Sequence, residues 1–248
     1  MFGIFKKKKT VVAEPLNLSY DSIKVDLHSH VLPGIDDGAQ TPEESIMLVK
    51  SMMEVGIKKI IATPHVMADY FKNTPETINN ALRILRERLI IEQIDIEVEA
   101  AAEHFFDELF EKRIEERTVL PIGDNYILFE LSFINKPPNA VQVIQKMKDM
   151  GYKPILAHPE RYTYLSISEF QNFHDWGCDF QLNTISLTGY YGGATQKIAE
   201  QLIDLGLINF MSSDMHHERH AWAFKHALKL PYVERLLTDY PIKNHLLF

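Results

Sequence analysis

The chain has 248 residues, of which 46% are hydrophobic and 24% charged, so it can bury a sizeable core. Its formal net charge of −8 argues against a nucleic-acid-binding protein, which would carry a basic face. It has no apolar run of about 18 residues, the length that a transmembrane helix needs. Because a single cysteine cannot form an internal disulfide, we expect a protein of the reducing cytoplasm.

The segment from Met1 to about Asn17 shows neither helical nor strand periodicity, and it includes four consecutive lysines, Lys6 to Lys9. We predict a flexible basic extension over residues 1–20, followed by one domain over residues 21–248. A solvated tail is the simpler interpretation of the lysines. The alternative is a weak peripheral contact with an anionic membrane, worth about 1 kcal/mol per lysine near the lipid.

Seven short apolar runs predict buried strands, at residues 24–27, 59–62, 94–101, 126–131, 154–157, 179–182 and 208–211. Helical patterns lie between and after them, with helix starts at Thr41-Pro42 and Thr74-Pro75 and further patterns over 106–116, 140–150, 168–176, 196–205 and 221–237. This alternation predicts an α/β fold with a parallel sheet. An open doubly wound sheet and a closed barrel both fit the order.

Histidines and carboxylates follow six of the seven predicted strands. They are Asp26, His28, His30, Asp36 and Asp37 after the first strand, then His65, Glu103 with His104, Glu130, His158 with Glu160, and finally Asp214 with His216. In a parallel barrel these strand ends share one face, where active sites are built. Ionisable groups packed so closely repel one another unless a cation joins them. The pattern therefore predicts a metal site.

The spacing of the ligand candidates supports this prediction. His28 and His30 are two residues apart on an extended segment, so both side chains point to the same side, and Asp214 and His216 repeat the arrangement. A His-x-His pair alone rarely binds metal, and it is the joint pattern that carries the argument. Imidazole and carboxylate ligands without thiolate favour manganese, iron or zinc over calcium.

Three carboxylates have separate expected roles. Glu103 and Glu130 can each bridge two ions, because a carboxylate has two oxygens. Glu130 lies in an apolar strand, where an acid must be paired or bound to a cation. Asp26 is one strand step from His28, and we expect it to orient a metal ligand.

Three alternative chemistries lack their motifs. A cysteine phosphatase needs an arginine six positions after its cysteine, and the residue six positions after Cys178 is Thr184. No Asp-x-Asp sequence is present for an aspartyl-phosphate mechanism, and no Gly-x-x-x-x-Gly-Lys-Ser/Thr loop is present for nucleoside triphosphates.

Five motifs together resemble the polymerase-and-histidinol-phosphatase (PHP) superfamily. They are Asp26-Leu27-His28-Ser29-His30, Asp36-Asp37-Gly38, Ala62-Thr63-Pro64-His65, Ala157-His158-Pro159-Glu160-Arg161-Tyr162 and Ser213-Asp214-Met215-His216. More narrowly, the chain resembles the bacterial protein-tyrosine phosphatases of capsule and exopolysaccharide operons. The resemblance runs from about Ile23 to His216 and covers nearly the whole predicted domain.

The resemblance implies a distorted seven-stranded (β/α) barrel that holds two or three divalent ions, most often Mn²⁺, with iron or zinc as alternatives. By position, His28, His30, Glu103 and Asp214 would hold one ion, Glu103, Glu130 and His158 a second, and Asp37, His65 and His216 a third. Arg161 matches an arginine that binds the phosphoryl oxygens. The family usually has a second phosphate-binding arginine after the last motif. The spacing of Arg219 from that motif differs from the family's, so Arg219 is a candidate only.

The resemblance therefore implies a metal-dependent protein-tyrosine phosphatase, in which water activated by the ions attacks phosphorus without a covalent intermediate. Its expected substrate is the phosphotyrosine tail of a bacterial tyrosine autokinase that controls polysaccharide export. One alternative is a phosphatase of a small phosphomonoester such as histidinol phosphate. The other is a non-catalytic barrel that binds phosphotyrosine.

Overall fold

The computed structural model describes residues 18–123 and 125–248, so the predicted basic run Lys6 to Lys9 lies outside the described residues. The described strands are β1 (Val25–Asp26), β2 (Lys59–Ala62), β3 (His65–Val66), β4 (Glu97–Ala100), β5 (Glu103–Phe105), β6 (Tyr126–Glu130), β7 (Lys153–Ala157), β8 (Asp179–Asn183) and β9 (Phe210–Ser212). The described α-helices are α1 (Pro42–Glu54), α2 (Pro75–Ile91), α3 (Phe110–Glu115), α4 (Ala140–Asp149), α5 (Ile167–Asp175), α6 (Gly193–Asp204), α7 (Glu218–Ala227) and α8 (Pro231–Thr238).

All paired strands are parallel, as the alternation of strands and helices predicted. They form two sheets, one with the order β1-β2-β4 and one with the order β3-β5-β6-β7-β8-β9. The interruption between β2 and β3 falls at Thr63-Pro64, where proline has no N–H to donate to a continuous ladder. The α/β fold with parallel sheets is confirmed. A closed barrel is not confirmed, because strand pairing within the described ranges gives two sheets.

Backbone hydrogen bonds also join the segments that follow β1 and β9. The N–H of Asp214 donates to the carbonyl of His28 at 2.9 Å, and the N–H of His30 donates to Met215 at 2.8 Å. Ser29 and Met215 form an isolated parallel bridge. The first and last ligand motifs of the sequence are therefore held side by side.

Local sequence accounts for the start of the long helices. Thr41 accepts a hydrogen bond from the N–H of Glu44 at the start of α1, and Thr74 forms a capping box with Thr77 at the start of α2. Each helix then packs one apolar face against the sheets, whose central strands are buried on both sides. These pairs of helix and strand place the ends of the strands at one face of the protein.

Two predicted boundaries are wrong. The pattern over 221–237 predicted one helix, but α7 and α8 are separate, because Pro231 begins α8 and cannot continue the hydrogen bonds of a preceding helix. Tyr20 was assigned to the flexible extension. It is instead buried, its ring stacks on Phe224 at 4.0 Å and its hydroxyl donates to the Phe224 carbonyl at 2.8 Å.

None of the helices over residues 18–123 and 125–248 combines the length and the apolar composition needed to cross a bilayer.

Candidate metal centre

The structure brings together all nine residues that the sequence predicted as metal ligands. A cavity of about 460 Å³ opens at the carboxyl ends of the strands. Seven of the nine line it, namely Asp37, His65, Glu103, Glu130, His158, Asp214 and His216. His28 and His30 lie behind them and are fully buried.

Four donor atoms at the base of the cavity are within 3.5 Å of one another in nearly every pairing. The Nε2 atoms of His28 and His30 are 3.2 Å apart. The Oε2 atom of Glu103 and the Oδ1 atom of Asp214 lie 3.3 and 3.4 Å from Nε2 of His28, and both lie 3.5 Å from Nε2 of His30. Ligand atoms about 2.0–2.1 Å from a tetrahedral ion are about 3.3 Å apart. The spacing of the two imidazole nitrogens from each other and from each carboxylate oxygen is therefore that of atoms sharing a divalent ion.

The other ring nitrogens show why both Nε2 atoms point to the same place. Nδ1 of His28 lies 2.7 Å from Oε1 of Gln181, and Nδ1 of His30 lies 2.7 Å from Oδ2 of Asp36. Both partners are acceptors, so each Nδ1 carries a proton and each Nε2 is the nitrogen available to a cation. Sequence reasoning named neither role. The position of Asp36 inside the Asp-Asp-Gly motif was the only signal, and Gln181 had none.

Glu103 lies at the centre of the cluster. Its Oε1 atom is 3.0 Å from Nε2 of His158, and its Oε2 atom is 3.0 Å from Nδ1 of His65. Oε2 is nevertheless without a hydrogen-bond partner among the described residues. A buried carboxylate oxygen without a partner, surrounded by imidazole nitrogens, fits a shared cation.

Two further groups extend toward the mouth of the cavity. His65 forms a compact group with Glu103 and Glu130, and His30, Asp37, His65 and His216 form another, with the donor atoms of each group within 4.8 Å of one another. Asp37 lies 3.5 Å from both His65 and His216. His158 groups with His28 and Asp214, so the sharing of ligands differs in detail from the sets implied by the family resemblance.

The charges of the cluster depend strongly on one another. Burial alone would raise the pKa of Glu103, but the imidazoles of His28 and His65 hold it well below its usual range. Burial alone would lower the pKa of His65, but Glu103 and Glu130 raise it to about 10. Neighbouring carboxylates likewise raise the pKa values of His28 and His30, so bound cations would compete with protons at these three imidazoles.

The backbone is strained at two of these positions. His158 has φ 33° and Asp214 has φ 51°, in the left-handed region that residues other than glycine rarely adopt. Both come directly after or near the end of a strand, and the left-handed turn directs each side chain into the cluster. Strained backbone of this kind is concentrated at functional sites.

Gly38 allows the Asp36-Asp37 segment to pack against His30. A Cβ atom at position 38 would lie 2.0 Å from the carbonyl oxygen of His30 and 2.4 Å from its Cβ. Only glycine permits this approach, which places Asp36 on the ring of His30.

The two predicted phosphate-binding arginines lie in different places. Arg161 lines the cavity, and its Nη1 atom is 3.4 Å from Oδ2 of Asp214. Arg219 lies on α7, is exposed and is not among the residues that line the cavity. The structure therefore brings Arg161 to the cluster and does not bring Arg219 there. His217 and His220 also line it, although neither was among the predicted site residues.

Asp26 supports the cluster through the backbone. It was expected to orient a ligand side chain, but its carboxylate accepts from the N–H groups of His28 at 3.3 Å and of Ser213 at 2.8 Å. It thus joins the two backbone segments that carry His28 and Asp214 and does not contact an imidazole through a hydrogen bond.

The sequence matches the family model described as "Capsular polysaccharide synthesis, CpsB/CapC" over residues 24–235. It is 33% identical over 196 residues to "Tyrosine-protein phosphatase YwqE" of Bacillus subtilis (strain 168), covering 78% of this chain and 77% of that protein. It is 27% identical over 203 residues to "Tyrosine-protein phosphatase CpsB" of Streptococcus pneumoniae, covering 78% of this chain and 83% of that protein.

The fold has solved relatives. A structure from crystallographic work on YwqE and CpsB, described there as unique metal-dependent tyrosine phosphatases, matches with a TM-score of 0.76 and 30% identity, over 88% of this chain and 96% of that chain. The phosphotriesterase homology protein of Escherichia coli matches with a TM-score of 0.52 and 13% identity, over 88% of this chain and 90% of that chain, which shows a likeness of fold alone. These findings confirm the family resemblance drawn from the motifs. The chain belongs to the CpsB/CapC family of capsular polysaccharide synthesis.

Proposed function

We propose that this protein is a metal-dependent protein-tyrosine phosphatase, a phosphoric monoester hydrolase. The observation that carries the proposal is a buried set of two imidazole nitrogens and two carboxylate oxygens at the base of an open cavity, in which each nitrogen lies 3.2–3.5 Å from the other three atoms. The names of its relatives, tyrosine-protein phosphatases YwqE and CpsB, support the same activity.

We propose that the cluster holds two or three divalent ions, with Mn²⁺ preferred and iron or zinc as alternatives. The proposed ligands are His28, His30, Asp37, His65, Glu103, Glu130, His158, Asp214 and His216, of which Glu103 contacts the most imidazoles. Such ions lower the pKa of a bound water toward neutrality and offset negative charge on phosphoryl oxygens. Imidazole and carboxylate donors suit all three metals.

The chain's own groups bind and orient the substrate. The guanidinium of Arg161 lies at the cavity wall, where its N–H groups can donate to the phosphoryl oxygens of a bound ester. Asn183 donates to Oδ2 of Asp214 at 2.7 Å, so the other oxygen of that carboxylate stays directed at the two histidines. Tyrosine has a pKa of about 10, so its phenolate leaves more readily than an alkoxide.

The proposed substrate is the phosphotyrosine tail of a bacterial tyrosine autokinase that controls capsule or exopolysaccharide synthesis. Tyr70, Phe71, Phe133 and Tyr191 line the cavity, and Tyr70 is 79% exposed, so the mouth offers aromatic contacts to an aryl ester on a peptide. Since such a kinase needs ATP, we place the reaction in the cytoplasm. A weak peripheral membrane contact through Lys6 to Lys9 remains part of this proposal.

We further propose that the two sheets together make a distorted seven-stranded barrel. In that barrel β2 and β3 would form one interrupted strand, and β4 and β5 would form another. The hydrogen bonds between the segments after β1 and β9 support closure at that point. We also propose that residues 21–248 belong to a single domain, preceded by a basic extension over residues 1–20 from which Tyr20 packs onto the domain.

The test is metal analysis of the purified protein together with assays on a phosphotyrosyl peptide. We expect bound divalent metal, turnover of the peptide, and loss of both in His28→Ala and Glu103→Ala. His245→Ala is the matched control, because His245 is exposed in the C-terminal segment and does not line the cavity. Turnover that survives both cluster substitutions would refute the metal mechanism.

Competition between a phosphotyrosyl peptide and histidinol phosphate separates the two phosphatase hypotheses. The proposal expects the peptide to be preferred, and a preference for histidinol phosphate by orders of magnitude would refute it. Binding of the peptide with no turnover in the metal-loaded protein would instead indicate the non-catalytic alternative.

A further inference from the structure

Two aromatic rings from separate loops flank the guanidinium of Arg161. Its central carbon lies 4.3 Å from the ring centre of Phe133 and 4.4 Å from the ring centre of Tyr191, over the face of each ring. Phe133 follows β6, and Tyr191 lies just before α6. The ring faces attract the cation, and they cover the guanidinium so that its hydrogen-bonding edge is the part left free.

That edge has one weak partner among the described residues. Nη1 of Arg161 is 3.4 Å from Oδ2 of Asp214, and the same oxygen accepts a shorter hydrogen bond, 2.7 Å long, from Nδ2 of Asn183. Asp214 therefore keeps a partner when Arg161 turns to another acceptor. Arg161 lines the cavity together with seven of the candidate metal ligands, so its remaining N–H groups are available to an anion bound there.

Arginine has a long side chain with many rotamers, and the side chain of Arg161 lines the cavity. A free arginine would lose rotamer entropy each time it bound an anion. Two rings that already hold the guanidinium remove much of this cost before the substrate arrives. Tyr191 is in turn held by contacts of its hydroxyl with Asn183 and His220, both at 3.5 Å.

We propose that Phe133 and Tyr191 are positioning residues, which hold the guanidinium of Arg161 with its edge toward the phosphoryl group of the substrate. The proposal rests on the proposed phosphatase function. In this proposal the two rings act on the substrate only through Arg161, by fixing the orientation of its guanidinium. The competing explanation is that the rings touch the aryl group of the substrate directly.

The experiment is a double-substitution cycle in the full-length, metal-loaded protein. Phe133→Leu and Tyr191→Leu keep apolar bulk and remove the ring, and each is made with Arg161 and with Arg161→Lys. Tyr191→Phe keeps the ring and removes the hydroxyl. Trp222→Leu is the matched control, since Trp222 is an exposed aromatic residue on α7 that stacks on His226 and does not line the cavity.

Two quantities are measured for each variant, together with its metal content and melting temperature. The first is kcat/KM for p-nitrophenyl phosphate. The second is the Kd for inorganic phosphate, measured by calorimetry. Inorganic phosphate contains no aryl group, and the measurement needs no turnover. Each ring substitution should lower kcat/KM and raise this Kd about 2- to 30-fold, the range that one cation–π contact corresponds to. Tyr191→Phe should recover most of the loss, and Trp222→Leu should cause none.

In the Arg161→Lys background the same ring substitutions should change kcat/KM and the phosphate Kd less than twofold, because the guanidinium that the rings hold is gone. Equal losses in both backgrounds would overturn the proposal, and so would an unchanged phosphate Kd or a Tyr191→Phe variant as impaired as Tyr191→Leu. Failure of the unaltered protein to hydrolyse a phosphotyrosyl peptide would refute the proposed function instead. The phosphate Kd would still test the rings.

Discussion

Substituting Gly38 with alanine tests whether the Asp36-Asp37 segment must pack directly on His30. The added Cβ would lie 2.0 Å from the carbonyl oxygen of His30, whereas carbon atoms in contact prefer a separation of about 3.5–4.0 Å. The segment must therefore move by about 1.5 Å. This movement is large enough to break the 2.7 Å contact between Asp36 and Nδ1 of His30 and to displace Asp37 from the cluster.

The expected losses follow from that displacement. Overpacking of a tight site costs about 1–3 kcal/mol, which lowers the melting temperature of a chain of this length by about 2–12 °C. A misplacement of about 1 Å at a catalytic site can cost about 100-fold in rate. We therefore expect Gly38→Ala to lose about 100-fold in kcat/KM and to bind less metal.

The control is Gly193→Ala. Gly193 lies in the first turn of α6, and an added Cβ would meet nothing within 4 Å. Alanine is favoured over glycine in a helix by roughly 0.5–1 kcal/mol, so this variant should be as stable as the unaltered protein or slightly more stable. The assays are calorimetric melting, metal analysis and turnover of p-nitrophenyl phosphate. A Gly38→Ala protein with unchanged metal content and activity within threefold would refute the reasoning.

Three further predictions concern the same site. Asp36→Asn should weaken metal binding about 10- to 100-fold, measured by competition with a chromophoric chelator, because a neutral amide is a poorer acceptor for the Nδ1–H of His30. Equal affinity would show that Asp36 does not orient the ring. Burial raises the pKa of Glu160 from 4.5 to about 7, so the native protein binds more protons than the unfolded chain between these values, and stability falls as pH rises through that window. Glu160→Gln should therefore be about 2–3 kcal/mol more stable than the unaltered protein in urea unfolding at pH 8, with little difference at pH 5; a difference that does not depend on pH would contradict this. Removal of metal with EDTA should abolish turnover and lower the melting temperature by about 5–11 °C, if the ions were present at about 100 times their Kd. Added Mn²⁺ should reverse both effects, and an unchanged melting curve would argue against bound ions.

Much of the local structure follows from short stretches of sequence. The starts of α1 and α2 are specified by Thr41-Pro42 and Thr74-Pro75, because capping and the fixed φ of proline act within one helical turn. Buried parallel strands are apolar on both faces, so their positions could be read from continuous runs such as 126–131. The helix break at Pro231 was missed, although proline itself was the available signal.

The candidate ligands could be named from sequence, because a parallel arrangement of strands brings all their carboxyl ends to one face. This argument holds for any pairing order, so it did not need the sheets to be known. The sequence could not show which ligands lie close enough to bind the same ion, because that depends on distances between residues far apart in the chain. His65 and Glu130, for example, are 3.2 Å apart although β5 lies between their strands, β3 and β6.

The sequence by itself determined that this is an α/β protein with imidazole and carboxylate groups at its strand ends, since periodicity and local motifs act over a few residues. Only the tertiary structure decided how the strands divide into two sheets, which partners hold the metal-facing histidines, and which arginine reaches the cavity. Gln181 contacts His28 across 153 positions of chain, and Arg161 is held by rings from two different loops. Such contacts form only when the whole chain packs, and no local pattern encodes them.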